Sequence, residues 1–151
     1  MLDITGLLDA AITHASSSGH FEAVNGHEPL NTPMSGGLDA AVWVDRIVPV
    51  RSSGLNSASV LVVLNVRLFS SSKSEPRDAI DPELVAAVDT LCAAYTGDFT
   101  LGGLVRQVDI FGQHGVPLGV RAGYVQQSGD VSRVMTIDLP LIVNDLWEET
   151  P

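Results

Sequence analysis

The stretch Val131 to Trp147, VSRVMTIDLPLIVNDLW, constrains the fold more than any other part of the chain. Its odd positions from Val131 to Val143 are apolar (Met135, Ile137, Leu139, Leu141, Val143), with Arg133 the one exception. Its even positions include Thr136, Asp138, Pro140 and Asn144. A period of two is the signature of a strand with one buried face. Pro140 has no N–H to give a ladder, so the spacing predicts a sheet edge or a bulge there. An apolar strand at an interrupted edge is a place where a second chain docks.

The rest of the chain fits an α+β plan. Ile4, Leu7, Leu8, Ala11, Ile12 and Ala15 follow helical spacing, with Asp3 or Thr5 as cap and Gly19 as terminator. His20 to Val24 reads as a short strand, and Asn25 to Gly37, rich in Gly, Pro and Asn, as an exposed loop. Leu38 to Val48 reads as a strand closed by Pro49, followed by the turn Arg51 to Asn56. Alternate residues from Ala58 to Leu68 are apolar, and Leu61 and Val63 make the opposite face apolar too, which marks a central strand. Ser70 to Arg77 is a polar connector. Asp81-Pro82-Glu83 then predicts a capped helix whose buried stripe is Leu84, Val85, Val88, Leu91, Cys92 and Tyr95, stopped by Gly97. Leu104 to Phe111, Val120 to Gln127 and Val131 to Val143 are expected strands, with a hairpin at Ser128-Gly129-Asp130. The expectation is one domain over 1–151, a mostly antiparallel sheet packed by two helices.

Charge is unevenly placed. The chain has 18 acidic and 8 basic side chains, a net charge of −10. No Lys or Arg precedes Arg46, and none follows Arg133. The acidic excess therefore sits at the two ends, which disfavours holding nucleic acid by phosphate neutralisation. No apolar run approaches a membrane span, and the acidic N-terminus lacks the basic region of a signal peptide. Cytoplasmic synthesis is the expectation.

Chemical motifs are sparse. His20 and His27 flank HFEAVNGHE, but a zinc site needs three or four convergent ligands and this is not HExxH spacing. His14 and His114 are expected to be surface or capping residues. Cys92, the single cysteine, falls in an apolar stripe and reads as an inert buried thiol. GxSxG, the P-loop and a GxGxxG after a strand are all absent. Gly102-Gly103 is a turn pair, and capping accounts for Asp78, Asp81 and Glu83. Trp147, beside two glutamates, reads equally as an anchor on its own core or as a contact for a neighbouring subunit.

Four stretches together resemble the tail terminator (tail-completion) proteins of long-tailed bacteriophages, especially those of actinobacteria. They are GHFEAVNGHEP (Gly19–Pro29), AAVWVDRIVPVRSSGL (Ala40–Leu55), DPELVAAVDTLCAAYTGDFTLGG (Asp81–Gly103) and RVMTIDLPLIVNDLW (Arg133–Trp147). The resemblance spans essentially the whole chain and rests on the ensemble, since none of the four is a catalytic signature. It implies a small α+β subunit of a hexameric ring that caps the tail tube at its set length. Such a ring sits at the tail–neck junction of the virion and meets the tube protein on one side and head–neck connector proteins on the other. DNA passes through its hole without specific binding. The family is not enzymatic, needs no cofactor and binds no membrane.

A ring built from one repeated contact needs two different patches on each subunit. The expected contact residues are Arg51, Leu55, Asn56, Pro140 and Trp147. The strand around Pro140 with Trp147 supplies one patch, and the loop Asn25 to Gly37 or Arg51 to Asn56 the other. Acidic side chains facing the hole would repel passing DNA. The rival readings are a head-closure or tube protein, a small hydrolase using Asp, His and Glu near His20 to Glu28, and a host adaptor. A tube protein usually carries a long stacking loop, and no expected loop here exceeds about 15 residues.

Overall fold

A computed structural model describes residues 2–29, 37–50, 57–71, 79–127 and 130–148. Among them are helices α1 (Ile4–Ser17) and α2 (Ile80–Gly97) and strands β1 (Ala23–Asn25), β2 (Asp39–Val50), β3 (Ser57–Ser71), β4 (Gln107–Val108), β5 (Gly119–Gln127) and β6 (Asp130–Glu148). The strands form one sheet in the order β1-β2-β3-β6, with β4 and β5 sharing the far side of β6. Every pairing is antiparallel except β1 with β2. The α+β plan expected from the sequence is the observed one.

Both helices cover one face of the sheet. Asp3 caps α1 by accepting from the Gly6 N–H at 3.0 Å, and Leu7, Ala11 and Ala15 are its buried residues. Even positions of β3 (Val60, Val62, Leu64, Val66, Leu68) and odd positions of β6 (Met135, Ile137, Leu139, Leu141) meet Leu84, Leu91 and Tyr95 of α2 in the main core. The opposite face of the sheet is closed in two smaller clusters. Leu61, Val63 and Ile142 lie under Val116, and Ala41, Phe69 and Val134 lie together further along. Apolar residues on both faces of β3 thus mark a central strand, as its sequence predicts.

Several sequence expectations are corrected. The strand containing Pro140 is not an edge: β6 lies between β3 and the β4/β5 pair. Pro140 is opposite Val63, and its carbonyl accepts from the Asp109 N–H at 2.9 Å. Its N therefore points to the same side, into the gap between β4, which reaches Leu141, and β5, which begins opposite Asp138. The missing donor is tolerated because no ladder bond is required there. The register irregularity of β3 with β6 lies instead near Ala58 and Val60.

The α2 helix begins one residue before Asp81. Ala79 holds the cap position without a side-chain bond, and Asp81 is drawn into an ion pair with Arg133. Val85 is 52% exposed, so it leaves the predicted stripe, and Ile80 and Ala87 take its place. The short strand near His20 lies at Ala23–Asn25, and that expected over Leu104–Phe111 shrinks to Gln107–Val108. The strand expected to close at Pro49 runs on to Val50. The Arg51–Asn56 turn, most of the loop before Gly37 and the connector after Ser71 lie outside the described residues.

Candidate interaction surface

Several of the described ionisable groups are engaged in structural contacts. His14 on α1 bonds Asp98 after α2 (Nε2 to Oδ2, 2.8 Å) and sits edge-on to the Tyr95 ring. That bond, with one from the Gly102 N–H, holds the Asp98 carboxyl below the usual carboxylate range. Burial pushes the Cys92 thiol up, and the charge of Asp89 pushes it further. Cys92 is half-buried and not fully enclosed as expected, and these shifts leave it a poor nucleophile.

His20 meets the hydroxyl of Thr90 at 3.0 Å. Among the described residues no three His, Cys, Asp or Glu side chains are placed to hold a metal ion. The cleft beside His20, about 520 Å³ and lined by Phe21, Glu22, Leu38 and Glu83, is open to solvent.

Asp109 organises the loop that replaces the expected long strand. It is buried, and its carboxylate accepts from the N–H groups of Gln113 and His114, both at 2.9 Å. Gly112 has φ +69°, and a Cβ there would lie 2.7 Å from the Pro117 nitrogen. Only glycine fits this tight return. The loop folds Val116 back onto Leu61 and Val63 and leaves Phe111 87% exposed. Phe111 and Phe99 flank a cavity of about 170 Å³ with Val108 and Ile110.

Arg133 ties the sheet margin together. Its guanidinium bonds the Asp81 carboxylate at 2.9 Å, lies 4.6 Å from the centre of the Tyr124 ring and donates to the Gly123 carbonyl. On the opposite face Arg67 lies 5.1 Å from the centre of a Trp43 ring and donates to the Thr136 hydroxyl, while Arg121 pairs with Asp138. Neither helix carries a Lys or Arg. The helical layer is therefore acidic, and Arg46, Arg67 and Arg121 occupy the other face.

The expected contact residues do not gather into one patch. Pro140 is buried. Trp147, opposite Ala58 near the end of β6, is 46% exposed. Arg51, Leu55 and Asn56 lie outside the described residues. Sequence periodicity missed the exposed margin formed by β5, where Val120 and Tyr124 stand out at 40% and 67%. The signal was present as GVRAGYVQQ, a strand-like run without an acid, a proline or a lysine.

No family model and no curated protein matches the chain. Among solved structures, similarity extends over 93% of this chain and 93% of a protein known only by a sequence identifier, at 14% identity and TM-score 0.49. A chain from the virion of a native gene transfer agent particle is similar at 12% identity and TM-score 0.42, over 94% of this chain and 98% of that one. A chain of an extracellular contractile injection system, described as a sheath/tube terminator in the extended state, is similar at 13% identity and TM-score 0.35. The match covers 98% of this chain but spans 60% of that one.

Proposed function

We propose that this protein is a virion structural subunit that assembles into a ring, six copies in the fullest form of the reading. The ring caps a phage tail tube, ends its growth and joins it to the head–neck connector. It works by binding other proteins, without bond-breaking chemistry and without a cofactor. The sequence resemblance over Gly19–Pro29, Ala40–Leu55, Asp81–Gly103 and Arg133–Trp147 motivates this function.

The structural observation that supports it is the placing of the exposed apolar side chains. Five of them occupy separate parts of the surface: Trp147 at the end of β6, Phe99 and Phe111 around the Asp109 loop, and Val120 and Tyr124 on β5. Aromatic residues are the usual anchors of protein interfaces. A repeated head-to-tail contact needs two unlike patches on one subunit, and more than one is available here. One face of the ring would meet the last tube layer, and the other would refuse a further tube subunit.

Electron microscopy of particles made without this protein tests the reading. The expected result is abnormally long tubes detached from capsids. Tails of normal length joined to heads would overturn it.

A further inference from the structure

The two margins of the sheet are built differently. On the β2 side, β1 covers only Asp39 to Ala41. The uncovered remainder carries a register break between Val44 and Arg46 and then Pro49. Val60, opposite Pro49, turns its backbone groups to β6, so the proline ring stands on the outer side of β2. A bulge, a proline and the charges of Asp45 and Arg46 are the devices by which natural sheets blunt an edge.

The β5 margin has no proline and no register break, and its one charge, Arg121, is paired with Asp138. The carbonyls of Pro140 and Ile142 accept from Asp109 and Arg106, so even positions of β6 turn their backbone groups away from β3. Even positions further back, from Ser132 to Asp138, therefore face β5 and exchange bonds with its odd residues, Gly119 to Val125. The intervening Val120, Ala122, Tyr124 and Gln126 point their N–H and C=O groups outward. Among the described residues no strand lies beyond them. Four consecutive outward positions on a nine-residue strand form an open template.

The surroundings of this template select its occupant. α2 starts beside Tyr124, through the Asp81–Arg133 pair, and the segment after it reaches the β4 level, where the Phe99 carbonyl accepts from the Val108 N–H. It therefore lies over β3 and β6, with its start at the β5 flank. Tyr95 and His20 fix its other side to α1 and the segment before β1. Asp81, on the flank that meets Arg133, is followed at four-residue spacing by Val85 and then Asp89, which turn progressively towards solvent. Arg133 takes up Asp81, whereas Val85 and Asp89 are exposed. β5 itself holds one charge, Arg121, already paired with Asp138 on the opposite face.

We propose that β5 accepts an extended segment of a different protein as an added strand, with basic side chains on the face turned towards α2. Main-chain bonds to Val120, Ala122, Tyr124 and Gln126 supply the adhesion. The aliphatic stems of Lys or Arg cover Val85 and Val120, and their charged ends meet Asp89. A second copy of this chain fits poorly, because it brings another acidic α2 to the same margin and another net charge of −10.

A capped peptide of alternating valine and lysine, as long as β5, is the probe. Hydrogen exchange followed by NMR on the whole protein is expected to show the peptide slowing the amides of residues 120, 122, 124 and 126. Ala122→Pro removes an outward donor and no internal one, and weakens binding by about tenfold. Ala122→Lys, at an exposed position, guards the edge in a second way and does the same. Asp89→Asn weakens the peptide several-fold, and a valine–glutamate peptide does not bind. Equal binding to both Ala122 variants, or equal binding of the acidic peptide, would overturn the proposal. So would a free protein that is already a dimer with those four amides protected, since a second copy would then hold the edge. None of these readouts depends on ring assembly.

Discussion

The phenol of Tyr95 donates to the carbonyl of Ala11 at 3.0 Å, inside the main core, and so joins the middle of α1 to the last turns of α2. The ring is fully buried. Tyr95→Phe keeps the packing and loses the bond, and is expected to cost about 1 kcal/mol. For a chain of this size that lowers Tm by about 2–4 °C. Burial raises the phenol's pKa above the free value. The folded state thus favours the neutral form, and this contribution is complete below about pH 10 and lost as pH rises towards the folded value. Thermal melts on the alkaline side should fall more steeply for the parent protein than for Tyr95→Phe.

Acid should reveal the His14–Asp98 contact. Asp98 has its pKa lowered chiefly by the bond from His14. Its stabilising effect is therefore present above about pH 4 and disappears as pH falls through the lower, folded value. His14→Ala is expected to be less stable than the parent near neutrality, and the gap should narrow as pH is brought down to about 2. Melting curves at stepped pH check this, and a gap independent of pH would contradict it.

Arg133 should control the order of the β5–β6 hairpin. Arg133→Lys keeps a charge but loses the flat guanidinium that serves Asp81, Tyr124 and Gly123 together. Amide exchange is expected to speed up in β5 and in the first turn of α2, with β3 unchanged. Asp81→Asn should speed the same two regions to a lesser degree.

The Asp109 loop depends on one backbone conformation. Gly112→Ala meets both a positive φ and the nearby Pro117 backbone. The expected cost is about 1–3 kcal/mol, read from urea unfolding midpoints. Gly102→Ala, also at positive φ but with open space around it, should cost less.

Trp147→Ala tests the ring reading at the level of one residue. The side chain is 46% exposed and belongs to none of the core clusters. The variant is expected to keep its circular dichroism spectrum and to assemble less well. Native mass spectra unchanged at equal concentration would count against a role in assembly.

The sequence made some features legible and hid others for physical reasons. Periodicity was reliable where one face is buried along a whole strand or helix, as in β3, β6 and α1. It placed Leu61 and Val63 correctly because a strand covered on both sides has to be apolar on both. It misjudged Pro140, because a proline marks an absent ladder bond and not the identity of the neighbour. In this fold the gap between β4 and β5 provides that absence within the sheet. It misjudged Asp81 for a related reason. A good capping residue was available, but Arg133, 52 positions further on, offers its carboxylate a stronger partner. Val85 was missed because helical spacing shows which residues are apolar, not where the sheet beneath them ends. Among the expected contacts, Trp147 is at the surface and Pro140 is not. Their difference follows from the neighbours of β6, which local pattern does not encode.

The contrast between the blunted margin of β2 and the margin of β5, which no strand covers among the described residues, gives the sheet a polarity in the lateral direction. It has a valence of one: a strand can be added on one flank, and the opposite flank resists a second addition. Stacking by this route ends after a single step, so the backbone layout itself discourages runaway fibre growth.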